Sequence, residues 1–256
     1  MSLIAPPPLL THTRDRQQPA AGSPPSFELP AIAFFGRSFG EYCRMFDLDP
    51  AELRQRPVLD VAAGPSAFTA EACRLGIDAV AVDPLYGSEP AELTRRVEAD
   101  LQKMITRMRG QPGCFRFRSF PSFAAAERDR RAAAQRFLED YRNQAGHGRY
   151  FGAALPQLPF LDSTFDLVLC AHLLFIYSRQ FDYAFHLAAC RELMRVARDE
   201  VRIHPVCGPD GRPYSDLERL TSDLATVGIE ARVVMVDYEF FVGSDSTLIL
   251  THRASK

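Results

Sequence analysis

"VLDVAAGPSAF", residues 58–68, runs from an apolar, β-branched stretch into a cluster of small residues. Val58, Leu59 and Val61 read as a buried strand, and the small residues after them as a tight loop that feeds a helix. A loop in this position turns backbone N–H groups toward a ligand at the carboxyl end of a sheet. It holds one glycine, Gly64, where nucleotide loops usually hold two or three. Small side chains must therefore admit the ligand. Ala62, Ala63 and Ser66 keep the approach open, and Gly64 is the position free to take a positive φ.

Strands alternate with helices outward from this stretch. "DAVAVD" (78–83) is a second short strand, and the intervening "SAFTAEACRLG" (66–76) predicts a helix with Phe68, Cys73 and Leu75 inward and Gly76 at its end. "FDLVLCAH" (165–172) reads as a buried strand, "QFDYAFHLAACRELMRVA" (180–197) as an apolar helix and "EVRIHPV" (200–206) as the next strand. "SDLERLTSDLATVG" (215–228) predicts a helix capped by Ser215, with Leu217, Leu220, Leu224 and Val227 on one face. "IEARVVMVDYEFFV" (229–242) and "STLILTHR" (246–253) are two closing strands. The pattern predicts an α/β sheet, mostly parallel and covered by helices on both faces.

Residues 88–149 exceed what an α/β crossover needs and form an insertion of two helices. The first places Leu93, Val97, Leu101, Met104, Ile105 and Met108 on one stripe. Glycines flank the insertion, so it is read as a candidate lid. It carries 13 Lys+Arg against 8 Asp+Glu, a net of +5, although the 256-residue chain has a net charge of −2. Most such charge runs are solvated helix faces, but the excess favours an anionic acceptor or, as an alternative, RNA. "CFRFRSFPSF" (114–123) interleaves aromatics with arginine, yet an apolar edge packed on the core explains its phenylalanines equally well. The aromatic "FFGRSFGEYCRMF" (34–46) is either a helix packed on the sheet or a segment folding over the ligand, with Arg37, Phe39 and Tyr42 as lid residues.

Composition sets the bounds. With 46% hydrophobic and 24% charged residues, the chain is an ordinary globular one. Residues 31–256 are expected to form one domain behind a proline-rich, flexible arm at 1–30. Neither an overall basic footprint nor an apolar run of roughly 20 residues is present, so nucleic acid and membrane are unfavoured partners. The six cysteines show no CxxC spacing and no signal peptide is evident, which points to a reduced, cytoplasmic protein. His147 and His186 have no companions at metal-ligand spacing, so no metal is expected.

Two acids carry the chemistry. Asp60 lies inside the first strand, where a dinucleotide enzyme has an apolar residue, and suits a cationic ligand. Asp83 ends the second strand, where a carboxylate accepts hydrogen bonds from ribose hydroxyls. A positively charged nucleoside is implied.

Val58-Leu59-Asp60-Val61-Ala62-Ala63-Gly64-Pro65-Ser66, "AVAVDP" and "LPQLPFLDSTFDLVLCAHLLFIYS" together resemble the class I S-adenosylmethionine-dependent methyltransferases over about residues 37–253. The resemblance implies a Rossmann-like sheet with an antiparallel final strand and a helical insertion after the second strand. It implies S-adenosyl-L-methionine as cofactor, held by Asp60, Ala62, Ala63, Gly64 and Pro65, by Asp83 and Pro84, by Ala154 and Leu155, and by Cys170 and Ala171. Where many relatives place an acid for the adenine amine, this chain has Ala153 and Ala154, which leaves backbone contacts and stacking. His172, at the end of the fourth strand, is the candidate general base, set against a histidine satisfied by hydrogen bonds at the end of a buried strand. The expected activity is methyl transfer to a small-molecule acceptor; a non-catalytic binder of the same cofactor and an RNA or protein methyltransferase are the alternatives. No GxSxG elbow supports a hydrolase.

Overall fold

The computed structural model describes residues 27, 31–116 and 118–253. The expected arm, 1–30, lies outside the described residues apart from Phe27. Seven strands, β1 (Val58–Val61), β2 (Ala79–Val82), β3 (Tyr150–Phe151), β4 (Phe165–Ala171), β5 (Ala197–His204), β6 (Ile229–Met235) and β7 (Ser246–His252), share one sheet. Their order is β3-β2-β1-β4-β5-β7-β6. β1 pairs in parallel with β2 and β4, β2 with β3, and β4 with β5; β7 runs antiparallel to β5 and β6. This is the Rossmann-like sheet that the resemblance implies, including its antiparallel final strand. The strand order reverses between β1 and β4, so the crevice beyond their carboxyl ends is where such a sheet binds ligands.

Alternation along the central strands assigns each face its core. Val58, Leu167, Leu169 and Ala171 pack with α1 (Phe39–Phe46) and α3 (Phe68–Arg74), while Leu59, Val61, Val168 and Cys170 pack with α6 (Tyr183–Val196) and α7 (Leu217–Ala225). A four-residue helix, α2 (Pro50–Leu53), capped by Asp49, leads into β1. The insertion forms α4 (Pro90–Gly110) and α5 (Phe123–Gln144). All six residues of the expected α4 stripe are buried.

Several local expectations shift. Leu75 is 45% exposed because α3 ends at Arg74 and the chain turns away at Gly76, whose φ is +79°. Asp216, not Ser215, flanks α7, and Val227 is 52% exposed past its end. Asp182 caps α6 by accepting from the Phe185 N–H, and β5 begins directly at Ala197. β6 stops at Met235 rather than continuing to Val242, because residues 240–242 pair with the insertion instead. Arg116 N–H donates to Phe240 O at 2.8 Å and Val242 N–H to Cys114 O at 2.9 Å.

A buried ion pair also ties the insertion to the body. Arg130 of α5 and Glu41 of α1 are both fully buried and bonded to each other. Tyr238 OH donates to the second Glu41 oxygen at 2.6 Å, and Ser38 N–H to the first at 3.1 Å. The Arg130 guanidinium lies 5.1 Å from the Phe240 ring and 5.5 Å from those of Phe35 and Phe120. Cation–π contact and the bond to Glu41 offset part of the desolvation of this charge, while Arg130 Nε and Nη2 are buried without a hydrogen-bond partner.

Candidate functional site

A cavity of about 390 Å³ opens where β1, β2 and β4 end. Val61, Ala62 and Gly64 line it at the end of β1, Asp83, Pro84 and Leu85 after β2, and Ala171 and His172 at the end of β4. Its size lies within the usual range for small-molecule sites.

The first loop is held from three sides. Ala62 and Gly64 both take positive φ, +54° and +56°. Gly64 N–H donates to Asp83 Oδ2 at 3.1 Å, and the Tyr86 hydroxyl donates to Gly64 O. From above, residues 36–37 cross the loop so closely that a Cβ on Gly36 would sit 1.9 Å from Pro65 O. Ala67 N–H and Ser66 Oγ both donate to Arg37 O, at 2.9 and 3.1 Å. Strain at Ala62 is thus stabilised by neighbours that fix every strand of the loop.

Asp83 is buried yet on the cavity wall. Its other oxygen accepts the Leu85 N–H at 3.0 Å. Burial pushes its carboxyl up to about 6, against the two backbone donors that lower it. Each oxygen keeps lone pairs for ligand hydroxyls.

Ala62, Gly64, Asp83, Pro84, Ala154, Leu155, Ala171 and His172 line the cavity; Asp60, Ala63, Pro65 and Cys170 do not. Asp60 is fully buried behind the loop and accepts from the Tyr42 hydroxyl at 3.1 Å, while its Oδ2 has no partner. Burial holds its carboxyl well above the usual range, opposing the negative charge that its sequence position suggests. Cys170 is raised by the same cause. Phe39 and Tyr42 stack on Phe68 at 5.5 and 4.7 Å inside the core, so of the three expected lid residues Arg37 alone reaches the cavity.

His172 sits in the left-handed region, φ +53°, with its N–H donating to His204 O at 2.6 Å. Its Nδ1 is buried without a partner. Burial first, then Arg37, His204 and Arg130, hold its imidazole well below the usual histidine range. His204 packs 5.2 Å away, ring to ring, and its Nδ1 meets Thr247 Oγ1 at 2.9 Å. The pair is therefore neutral at physiological pH.

Gly36, Tyr86 and the phenylalanines that wall the far side of the cavity belong to no motif. Of these, Gly36, Phe34, Phe35 and Phe115 fall in the aromatic stretches 34–46 and 114–123, while Tyr86, Phe27, Phe240 and Phe241 lie outside them. Among the described residues no group of three or more His, Cys, Asp or Glu is arranged to hold a metal ion, all six cysteines are free, and no helix is long and apolar enough to cross a membrane.

No family model matches the chain. Over 216 residues it is 31% identical to the uncharacterized protein MJ0045 of Methanocaldococcus jannaschii, covering 84% of this chain and 94% of that protein. Similar solved structures include a SAM-dependent methyltransferase from Aquifex aeolicus, with 17% identity, 82% of this chain and 93% of that one, and a TM-score of 0.41. Magnesium protoporphyrin IX methyltransferase from Synechocystis PCC 6803, solved with bound SAM, shows 15% identity, 84% and 81% coverage, and a TM-score of 0.45.

Proposed function

We propose that this chain, which belongs to the same family as the uncharacterized protein MJ0045 of Methanocaldococcus jannaschii, is an S-adenosylmethionine-dependent methyltransferase acting on a small-molecule acceptor. The observation that carries the reading is the Asp83 carboxylate. It is buried on the cavity wall at the end of β2 and bonded to the glycine amide of the loop that ends β1. A carboxylate placed there fits the two hydroxyls of a ribose, and the loop beside it carries no bulk that would exclude the rest of the nucleoside.

The residues fit the cofactor as follows. Asp83 holds the ribose and Pro84 adjoins it. Ala154 and Leu155 offer backbone and a flat apolar surface to adenine. The Ala62–Gly64 backbone faces the methionine end, supported from behind by Asp60, Ala63, Pro65 and Cys170. When bound, the cofactor supplies an electrophilic methyl group on a sulfonium. Ala171 and His172 border the space between donor and acceptor, and His172 positions the acceptor's nucleophilic atom. The chain's contribution to rate is orientation of donor and acceptor inside the cavity.

Calorimetry tests the reading directly. S-adenosylmethionine and S-adenosylhomocysteine bind and raise the melting temperature, since they bind the folded state alone, and NAD does neither. Equal thermal shifts from NAD overturn it.

A further inference from the structure

The cavity is more aromatic than a nucleoside site needs. Beyond the donor residues its wall is built by Phe27, Met104, Met108, Phe115, Phe240 and Phe241. Phe27 meets Phe115 edge-on at 5.0 Å, and Phe115 lies 5.3 Å from Phe240. The insertion supplies half of these residues, held in place by the short ladder between 114–116 and 240–242. Unbranched methionines beside fixed rings make an adaptable apolar surface.

Two cations line the cavity, and one of them, Arg96, is paired with Asp100 at 2.7 Å. Arg37 lines the cavity, its Nε buried with no hydrogen-bond partner and its Nη1 reaching only Phe35 O at 3.4 Å. Among the described residues no carboxylate lies within ion-pair distance of it; Glu41, the nearby acid, is taken by Arg130. Its charge is felt by Tyr42, Tyr177, His172, His204 and Arg130. A guanidinium with an unmade bond among aromatic rings is costly unless a ligand supplies the counter-charge. Its fork matches a carboxylate. With Arg96 taken by Asp100, one unpaired cation balances one negative charge, whereas a phosphomonoester would bring a second charge into apolar surroundings.

We propose that this half of the cavity takes an apolar carboxylic acid, aromatic or branched, whose ionised head pairs with Arg37 and whose body lies against the phenylalanine and methionine wall. The inference deepens the methyltransferase reading and rests on it for calling this half the acceptor side.

The test is calorimetric titration of the full chain with indole-3-acetate and 4-phenylbutyrate, each beside its primary amide and beside phenyl phosphate, with and without saturating S-adenosylhomocysteine. The acids bind about tenfold or more tightly than their amides and than phenyl phosphate, as charge-assisted pairing requires. Arg37→Gln erases the preference, Arg37→Lys keeps part of it, and Phe241→Ala weakens acid and amide alike. The proposal is overturned if no acid binds up to millimolar concentration, if amides or phenyl phosphate bind as well, or if the preference survives Arg37→Gln. It is also overturned if Arg37→Gln weakens S-adenosylhomocysteine tenfold and leaves the acids untouched, which places Arg37 on the donor's own carboxylate. Failure of S-adenosylhomocysteine to bind at all sinks the methyltransferase reading instead, and the acid preference is then judged on the protein alone.

Discussion

The carboxylate of Asp83 accepts the amide hydrogen of Gly64 at 3.1 Å. Two motifs on different strands thus form one object: the acid that would meet a ribose also fixes the loop that would meet the methionine end. Removing the acid costs both a ligand contact and the loop's alignment. Asp83→Ala should weaken S-adenosylhomocysteine binding by roughly one to two powers of ten, since charge-assisted hydrogen bonds contribute about 1.5–3 kcal/mol each. The dependence on pH follows from the carboxyl's position near about 6. Ribose hydroxyls donate to the ionised form, so below pH 6 a proton must leave before binding. Affinity should hold above that pH and fall by up to about tenfold per unit below it. A dissociation constant that stays flat between pH 8 and 5 removes Asp83 from the site.

Gly64 has room for a side chain but not the backbone for one. A Cβ there would meet Phe34 and Phe35 at 3.7 Å, ordinary contact, yet φ is +56°. Gly64→Ala should therefore cost on the order of 1–2 kcal/mol of stability and weaken the donor modestly. Gly64→Val adds a β-branch that resists this backbone and fills the approach, so it should abolish binding in a folded protein. Circular dichroism with calorimetry checks both variants. Near-normal affinity of Gly64→Val excludes this loop as the cofactor loop.

The fold and the loop that lines the cavity were legible for a local reason: β1, its loop and Asp83 are set by neighbours in sequence, with apolar alternation for the strands and small residues for the turn. What was not legible depends on long-range pairing. The 229–242 strand looks continuous because its apolar residues continue, but Phe240 and Phe241 serve the cavity, and only the partner segment at 114–116 reveals that. Arg130 reads as one more charge on a basic helix. Its burial is decided by Glu41, 89 residues away. Asp60 follows the same logic: its position in the motif suggests a ligand-facing charge, whereas Tyr42 meets it from behind the sheet.

The Arg130–Glu41 pair should behave as a buried salt bridge. Glu41→Ala or Arg130→Met alone leaves an uncompensated buried charge and should cost about 3–5 kcal/mol. The double variant, with no charge to strand, should recover a large part of that. Urea denaturation of the three variants measures it. A double variant no better than the sum of the singles shows that the pair is not coupled. If the pair anchors the insertion, hydrogen exchange near Arg130 stays slow with or without ligand; exchange there that slows only when ligand binds points to a moving lid.

His204 gives the protein an acid-sensitive core. Burial and Arg37 push its imidazole down to about 3, against about 6.5 in an unfolded chain. Between these values the unfolded state takes up a proton that the folded state refuses, so stability is full above pH 6.5 and falls as pH drops toward 3. The slope is up to about 1.4 kcal/mol per unit. Asp83, raised by burial, works in the opposite sense between about 4 and 6, but equally in wild type and variant, so it cancels in a comparison. His204→Gln should be less stable at pH 7, having lost the fit to Thr247, and should show the shallower decline into acid. Parallel curves for the two proteins refute the assignment.

His172 decides what kind of help the acceptor receives. Its Nδ1 is buried and unpartnered on the cavity wall, and the imidazole is held neutral by burial, Arg37, His204 and Arg130. A base so weakened takes a proton poorly near neutral pH, because proton-transfer efficiency follows basicity. It can still offer a fixed nitrogen to the acceptor. His172→Ala should therefore lower turnover on a true acceptor by about 10²-fold while leaving the donor dissociation constant within about threefold, and His172→Asn, with an amide in its place, should restore part of the loss. The pH–rate profile separates positioning from proton abstraction. If His172 only positions, no acid limb near the ordinary histidine value of about 6.5 belongs to it. An acid limb near that value in the wild type that disappears in His172→Asn would restore the general-base role. Loss of thermal stability with unchanged turnover per folded molecule would leave His172 a packing residue, and orientation by the rest of the cavity would then account for the reaction.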